Sequence, residues 1–274
     1  MGVSDVDDRL VDGRYALKEP LGRGGFGVVW RASDTLLRRD VAIKELDFPS
    51  VLDEHERAAL RDKVLREARA AARLSHPALV TVFDVVDDGE RPLIVMELVD
   101  APTLAERVAS DGPLDEREAA RIGQEVLEAL AAAHAQGIVH RDVKPANVMV
   151  SDSGRVQLGD FGIASALDDP KVTSSGKLAG SPSYMAPEQA HNQQAGVATD
   201  LWGLGATLYF AVEGEPPFSR DGAVATLTSV VTDEPRAMQR TTALAPLLRD
   251  LLHKDPAARP AVAGSLWRLS LIHI

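Results

Sequence analysis

Apolar and polar residues alternate in short runs over the first hundred residues, a pattern typical of β-strands. We predict strands in five of these runs, which read YALKEPL, VVWRAS, DVAIKEL, ALVTVFDVV and LIVMELV. Residues 53–74 instead have the helical period, with Asp53 as the expected N-cap and Glu56 completing a capping box. This part of the chain therefore predicts a small antiparallel sheet accompanied by one helix.

The pattern changes after residues 97–102, which we expect to act as a hinge. Apolar residues then recur mainly at helical spacing, interrupted by two short strand-like runs, NVMVS and VQLGD, and by a polar loop at about 165–185. The predicted divisions are an N-terminal extension, a smaller lobe, a larger helical lobe and a tail of uncertain origin, at 1–14, 15–98, 99–268 and 269–274. The apolar end SLWRLSLIHI fits either a natural helix that packs on the core or a vector-derived or truncated end.

Composition narrows the function classes. The formal net charge of −11 argues against nucleic acid as a partner, although one lysine and backbone amides can still bind a small phosphate compound. The chain has no cysteine, which excludes disulfides, thiolate catalysis and cysteine-based zinc sites. It has neither a signal-peptide pattern nor an apolar run of about 18 residues, so we expect a cytoplasmic segment that does not itself contact a membrane, either a complete cytosolic protein or the intracellular part of a membrane receptor.

Three glycines, Gly22, Gly24 and Gly27, have the spacing of a phosphate-binding loop. A dinucleotide-binding turn is the alternative, with Asp47 as the acidic residue twenty positions beyond Gly27. That alternative requires a helix directly after the last glycine, whereas VVWRAS favours a strand. We therefore predict a β-hairpin in which a side chain at Gly24 or Gly27 would block the approach of phosphates.

Lys44 lies in the otherwise apolar run DVAIKEL. Burying a lysine is costly unless it has anionic partners. Phosphate oxygens and a carboxylate would satisfy it, and Glu67 is the best carboxylate because it lies on the inward face of the predicted helix. Glu56 is the weaker choice because it lies near the start of that helix.

Five motifs follow one another along the chain: Gly22-x-Gly24-x-x-Gly27-x-Val29, Val41-Ala42-Ile43-Lys44, His140-Arg141-Asp142-x-Lys144-x-x-Asn147, Asp160-Phe161-Gly162 and Ala186-Pro187-Glu188. In order and spacing they resemble eukaryotic-type (Hanks-type) Ser/Thr protein kinases over residues 15–265. The phrases HRDVKPANVMV and SYMAPEQA are similar to the kinases of actinobacteria. The resemblance implies an α+β, bilobal protein-kinase-like fold, with a five-stranded antiparallel N-lobe carrying one helix and a larger, mainly helical C-lobe.

The resemblance implies an enzyme that transfers the γ-phosphate of ATP to protein Ser or Thr hydroxyls and phosphorylates its own activation loop. Such transfer mainly requires positioning and charge stabilisation. Asp142 would orient the acceptor hydroxyl and take its proton, and Lys144 would hold the γ-phosphate and mark a Ser/Thr kinase. Lys44 would hold the α- and β-phosphates while paired with Glu67.

The same resemblance implies the cofactor site. Asn147 and Asp160 would hold Mg²⁺, with Mn²⁺ as an alternative, because these ions take oxygen ligands. Met96 would be the gatekeeper at the back of the pocket. The implied ATP-binding residues are Leu21, Gly22, Gly24, Gly27, Val29, Ala42, Lys44, Met96, Glu97, Val99 and Met149.

Regulation and internal bracing are also implied. A phosphate on the loop between the DFG and APE motifs would pair with Arg141. The candidate regulatory hydroxyls are Thr173, the first choice, then Ser174 and Ser175, and Ser181, which would bond Asp142 and Lys144. The alternatives are a polar loop with incidental hydroxyls and, for Ser181, a plain turn serine. The structural expectations are a Glu188–Arg259 ion pair, bracing of the catalytic loop by Asp200, and packing of His140 under Phe161.

The expected partners are protein substrates and ATP. Leu36 and Leu37 are candidates for an N-lobe homodimer contact, or are an ordinary apolar pair in a loop. Two other functions are alternatives to a protein kinase. A pseudokinase predicts loss of Lys44, Asp142 or Asp160, and all three are present. A small-molecule phosphotransferase lacks the APE segment, which this chain has at residues 186–188.

Overall fold

The computed structural model describes residues 9–24, 27–48, 52–87, 89, 91–161 and 181–272. Contacts divide the chain into two compact units. The first holds the described residues up to Ser75 and those from Val80 to Asp100. The second holds His76–Leu79 and the described residues from Ala101 onward.

The first unit is built on a six-stranded antiparallel sheet with the order β1-β2-β3-β4-β6-β5. Its strands are β1 (Leu10–Val11), β2 (Tyr15–Gly24), β3 (Gly27–Asp34), β4 (Arg39–Leu46), β5 (Val82–Asp87) and β6 (Pro92–Glu97). The sheet has one strand more than the five predicted. The additional strand, Leu10–Val11, pairs with the start of β2 but is too short to give an alternating pattern.

The two faces of this sheet differ. One face carries the apolar core of the unit, whose fully buried members on the central strands are Ala32, Val41, Ile43, Leu93 and Val95. Ala42 and Lys44 alternate with the core residues along β4, so their side chains project from the opposite face. Burying an aliphatic side chain such as Val41 contributes about 1.5–3 kcal/mol, which makes this layer the main source of stability in the sheet.

The helix α1 (Glu54–Ala71) begins where the capping pattern predicted. The Asp53 carboxylate accepts a hydrogen bond from the Glu56 amide at 2.7 Å, and the Glu56 carboxylate accepts one from the Asp53 amide at 3.3 Å. Such a cap contributes about 1 kcal/mol. The buried stripe that includes Val64 and Ala68 packs α1 against β5 and β6.

A partly buried ion pair fixes the turn between β3 and β4. Arg14 donates to both carboxylate oxygens of Asp34, at 2.9 and 2.7 Å, and Asp34 also accepts from the amides of Leu36 and Leu37. The hydrogen bond from the Arg14 guanidinium is the main cause that lowers the pKa of Asp34 to about 2. The turn that presents Leu36 and Leu37 is therefore held by one ionised carboxylate.

The second unit is mainly helical. Its helices are α2 (Leu104–Asp111), α3 (Glu116–His134), α4 (Pro187–Ala190), α5 (Val197–Glu213), α6 (Ala223–Thr232), α7 (Ala245–Leu251) and α8 (Val262–Ile272). The almost wholly buried α5 packs against α3 and α7, and α8 packs against α3. A two-stranded sheet, β7 (Val148–Val150) with β8 (Val156–Leu158), completes the unit. The predicted fold class, a strand-rich lobe with one helix followed by a larger helical lobe, is confirmed.

One feature of the second unit was not predicted. The short helix α2 has its own capping box, in which Thr103 and Glu106 satisfy each other's amides. For the C-terminal segment, the structure agrees with the alternative of a helix that packs on the core: α8 continues to Ile272 and buries Leu269 completely, while Trp267 on the same helix is 65% exposed. Across the part of the chain that the structure describes, no helix is both long and apolar enough to cross a membrane.

Candidate active site

Three side chains of the HRDVKPAN segment converge in the second unit. The Lys144 ammonium donates to Oδ2 of Asp142 at 2.7 Å, and the Asn147 amide nitrogen donates to the same oxygen at 3.1 Å. Asn147 also donates to the backbone carbonyl of Asp142 at 2.8 Å, which the short 3₁₀ turn Pro145–Asn147 makes geometrically accessible. The carboxylate of Asp142 is therefore held in one orientation beside a cation.

The backbone just before Asp142 is held from the helix α5. Asp200, which is almost fully buried, accepts hydrogen bonds from the amides of His140 at 2.8 Å and Arg141 at 2.6 Å. Arg141 adopts a left-handed conformation with φ of 69°, which residues other than glycine seldom adopt. The predicted bracing of this loop by Asp200 is confirmed.

His134 is a third partner of Asp200 and was missed by the sequence reasoning. Its Nε2 lies 2.6 Å from the Asp200 carboxylate, at the last residue of α3. The side chain is only 8% exposed. The one signal in the sequence was a polar residue closing the apolar run EALAAAH, which does not distinguish a buried contact from a solvated helix end.

His140 and Phe161 form the predicted packing contact, with ring centroids 4.4 Å apart in an edge-on arrangement. The His140 ring also lies within hydrogen-bonding distance of the Gly159 carbonyl, at 2.8 Å, and the Gly159 amide donates to the Asn147 carbonyl at 2.9 Å. These contacts join the segment that carries Asp160 to the segment that carries Asn147.

Asn147 and Asp160 fit the chemistry expected of a metal site. Asn147 uses its amide nitrogen in both of its hydrogen bonds to Asp142, so its side-chain oxygen is the atom suited to a metal ion. Asp160 supplies a carboxylate directly after Gly159. The described residues contain no group of three or more His, Asp or Glu side chains that could hold a metal. Mg²⁺ often binds through one or two protein ligands together with substrate phosphates and water.

In the first unit, the glycine-rich segment forms the predicted β-hairpin. Gly24, the last residue of β2, pairs with Gly27, the first residue of β3, so a strand and no helix follows the last glycine and the dinucleotide-binding alternative is wrong. Gly27 has φ of 139°, and a Cβ there would overlap the backbone carbonyl of Glu45. Glycine at position 27 is thus required by the neighbouring strand itself. Among the described residues, a Cβ at Gly24 would meet no atom within 4 Å.

Register places several predicted nucleotide-binding residues on one face of the sheet. Val29 lies opposite Lys44, and Ala42 lies opposite Met96. Because directly opposed residues share a face, these four side chains project together from the face opposite the apolar core. The Lys44 side chain is buried, and Glu67 lies half-buried on α1. The ion pair between Lys44 and Glu67 stays a prediction.

The other residues predicted to bind ATP lie in or next to strands of the two units. Leu21 and Gly22 lie near the end of β2, with Leu21 46% exposed. Glu97 ends β6, and Val99 follows it. Met149 lies in β7 of the second unit, where it bridges to Thr103. The assignment of this set to ATP stays a prediction.

Of the four predicted regulatory residues, Ser181 alone lies among the described residues. Thr173, Ser174 and Ser175 lie outside the described residues. Ser181 is exposed and precedes the 3₁₀ turn Pro182–Tyr184, whose last amide donates to the Ser181 carbonyl. Its predicted hydrogen bonds to Asp142 and Lys144 stay a prediction.

The predicted Glu188–Arg259 ion pair is present and buried. The two guanidinium nitrogens of Arg259 donate to the two oxygens of Glu188, at 2.7 and 2.8 Å. Burial by itself raises the pKa of the Glu188 carboxyl, but the hydrogen bonds from Arg259 outweigh it and the pKa lies below its ordinary value. The pair anchors α4 to the segment that precedes α8.

The strand-rich unit, the helical unit and the Asp142–Lys144–Asn147 arrangement define a protein kinase, and the chain belongs to the protein kinase domain family over residues 15–267. PknL of Mycobacterium tuberculosis, a serine/threonine-protein kinase, is 36% identical over 257 residues, covering 93% of this chain and 63% of that protein. PkaA of Streptomyces coelicolor is 38% identical over 270 residues (92% and 49%). PknB of Mycolicibacterium smegmatis is 39% identical over 272 residues (95% and 43%).

The predicted similarity to actinobacterial Ser/Thr kinases is thus confirmed. The chain covers less than two thirds of the length of each of these relatives. Protein kinases as a family transfer phosphate from ATP with the help of divalent metal ions.

Proposed function

We propose that this chain transfers the γ-phosphate of ATP to serine or threonine hydroxyls of proteins. The observation that carries the proposal is the convergence of Lys144 and Asn147 on one oxygen of Asp142. The relatives named serine/threonine-protein kinases support the same acceptor class. The enzyme acts in the cytoplasm, where ATP is available.

In this proposal Asp142 aligns the acceptor hydroxyl with the phosphorus atom and takes its proton. Lys144, 2.7 Å from Asp142, offsets the negative charge that develops on the transferred phosphoryl group. Lys44 binds the α- and β-phosphates, and Glu67 orients its ammonium. The burial of Lys44 supports this role because a buried ammonium requires anionic partners.

Asn147 and Asp160 hold Mg²⁺ or Mn²⁺, which neutralises charge on the phosphates. Val29 and Ala42 contact the adenine ring together with Leu21 and Met149, and the backbone at positions 97 and 99 hydrogen-bonds its edge. The shared face of Val29, Ala42 and Lys44 supports this assignment in the first unit.

Phosphorylation of its own loop at Thr173, Ser174 or Ser175 activates the enzyme through Arg141, and Ser181 bonds Asp142 and Lys144. Mass spectrometry of active protein is expected to find phosphate between residues 165 and 181. An active preparation without phosphate in that segment contradicts this part of the proposal.

We also propose that two copies of the chain form a homodimer through Leu36 and Leu37. These side chains are 72% and 55% exposed, on the turn held by Asp34. Replacement of Leu36 by glutamate is expected to lower the apparent mass in analytical ultracentrifugation. A wild-type protein that is monomeric at every concentration argues against the contact.

The activity is tested with radiolabelled ATP, Mg²⁺ and a generic basic protein. Asp142→Ala is expected to lower labelling of protein Ser and Thr by about 10²–10⁴-fold, the range of general-base catalysis. Undiminished labelling by this variant refutes the proposed role. Nucleotide binding without any transfer by the wild type indicates a pseudokinase, and label on a small molecule indicates the other class of phosphotransferase.

A further inference from the structure

Gln189, in α4, hydrogen-bonds to the backbone of the catalytic loop. Its side-chain nitrogen donates to the Arg141 carbonyl at 3.0 Å, and its side-chain oxygen accepts from the Ala186 amide at 3.0 Å. Only one orientation of the side-chain amide serves both partners, because one is an acceptor and the other a donor. A glutamate offers no donor and a lysine no acceptor, so the two contacts together require an amide.

The contact with Arg141 is placed next to the reacting group. The carbonyl that Gln189 holds belongs to the peptide bond between Arg141 and Asp142, and Asp200 holds the peptide amide on the other side of the Arg141 Cα. Both backbone torsions of this left-handed residue are therefore fixed by side chains from outside the loop. Gln189 and Asp200 together set the direction in which the Asp142 side chain leaves the backbone.

Gln189 is itself rigidly mounted. The preceding residue, Glu188, is tied to Arg259 by two hydrogen bonds within the core and accepts a third from Thr199 at 2.9 Å. A residue that only capped α4 would need the contact with Ala186 and no other. The second contact, 48 residues away along the chain, extends this anchored helix to the loop that carries Asp142.

We propose that Gln189 is a positioning residue for phosphoryl transfer, acting on Asp142 through the Arg141 carbonyl. The inference rests on the proposed kinase function, because its main effect is on the rate of the transfer step. A misplacement of about 1 Å can lower a rate by about 10²-fold. Loss of this contact lowers kcat by about tenfold or more, while KM for ATP changes by less than about twofold.

Two variants separate positioning from capping. Gln189→Glu keeps the acceptor for the Ala186 amide but places a carboxylate oxygen against the Arg141 carbonyl, so only the loop contact is broken. Gln189→Met keeps the side-chain length and removes both contacts. Gln193→Glu is the matched control, because it makes the same charge change at an exposed glutamine of the same segment.

The measurements are kcat, KM for ATP and the thermal midpoint of each variant. The inference expects a low kcat for both Gln189 variants, an unchanged midpoint for Gln189→Glu, and wild-type values for Gln193→Glu. A Gln189→Glu variant that folds and keeps the wild-type kcat overturns it. If Gln189→Glu does not fold, the inference is tested with Gln189→Met instead. It is then overturned if the kcat of Gln189→Met falls only in proportion to the folded fraction of that variant.

Amide hydrogen exchange over residues 138–147 gives a readout that needs no turnover. Exchange of this peptide is expected to quicken in both Gln189 variants and to stay unchanged in Gln193→Glu. Unchanged exchange in the Gln189 variants overturns the inference even if the wild type proves inactive. An inactive wild type with altered exchange in the variants instead refutes the proposed function and leaves the contact between Gln189 and the loop established.

Discussion

Replacing Arg259 by leucine leaves the buried Glu188 carboxylate without the guanidinium that donates to both of its oxygens. Removing one partner of a buried ion pair typically costs about 3–5 kcal/mol. We expect the free energy of unfolding, measured by denaturant titration, to fall by that amount. Arg268→Leu is the control, because its ion pair with Asp250 is partly exposed to solvent, and ion pairs at the surface contribute about 0–1 kcal/mol. Equal losses in the two variants would contradict the expectation.

Asp34 gives a prediction on pH. Its pKa is lowered from 3.8 to about 2, chiefly by the hydrogen bond from Arg14, so folding favours the ionised form. The stability that this carboxylate contributes is fully present above pH 4 and is lost as the pH falls towards 2. Asp34→Asn is therefore expected to lower the thermal midpoint at pH 7 and to differ less from the wild type at pH 3. A difference that does not shrink with acidification would show that ionisation is not its source.

At the scale of elements, the glycines of the β2–β3 hairpin have two different roles: Gly27 is needed for folding, and Gly24 is proposed to leave room for phosphates. Gly27→Ala is expected to lower the free energy of unfolding by about 1–3 kcal/mol, because the new Cβ would overlap the Glu45 carbonyl and the φ of 139° disfavours alanine. The new methyl group of Gly24→Ala meets no atom of the described residues, and this variant is expected to fold normally. In the proposed function it binds ATP about tenfold more weakly, since its methyl group occupies space that phosphates approach.

Calorimetry with a non-hydrolysable ATP analogue and denaturant titration test these two effects separately. A destabilised Gly24→Ala, or a Gly27→Ala variant as stable as the wild type, would contradict the distinction. The sequence could predict the hairpin but not this difference. Which glycine lies against a neighbouring strand depends on register, and register is set by the packed sheet.

Long elements with a strong period were predicted well, whereas the short elements β1 and α2 were missed. Helix α1 was predicted because it begins with a capping box and because five buried apolar residues recur at helical spacing along its eighteen residues. The two-residue β1 and the eight-residue α2 are too short for such a pattern, although Thr103 and Glu106 do carry a capping signal. His134 and Gln189 were missed for another reason. Their partners lie 66 and 48 residues away along the chain, and single-residue chemistry does not specify such contacts.

For the whole molecule, nucleotide binding couples to stability. A ligand that binds only the folded state at a hundred times its Kd adds about 2.7 kcal/mol to the free energy of unfolding. We expect Mg²⁺ with a non-hydrolysable ATP analogue to raise the thermal midpoint. Removal of the metal by EDTA is expected to abolish most of that increase. Asp160→Asn should remove the dependence on metal.

Asp152→Asn serves as the control for that experiment, because Asp152 is an exposed aspartate of the second unit, at the turn between β7 and β8. It is expected to respond to metal as the wild type does. A metal-dependent rise that persists in Asp160→Asn would argue against Asp160 as a metal ligand.

Most of the family assignment could be made from the order of five short motifs, because each has a fixed chemical task and together they span the chain. The predicted loop contacts of Asp200 and the pair between Glu188 and Arg259 followed from the same resemblance and are present. The additional anchors of the Asp142 loop are a histidine and a glutamine, residue types that occur equally well on a solvated surface. Only the packing of the helices brings these two side chains to the loop and its partner Asp200.

The division of the first sheet into an apolar face and a second face has a consequence for variation along β4. Val41 and Ile43 point into the core, whereas Ala42 and Lys44 point away from it. In the proposed function, neighbouring codons in this strand are therefore under different selective pressures, those of Val41 and Ile43 for folding and those of Ala42 and Lys44 for nucleotide binding. Under that proposal, nucleotide affinity can be engineered at Ala42 while Val41 and Ile43 keep the sheet folded.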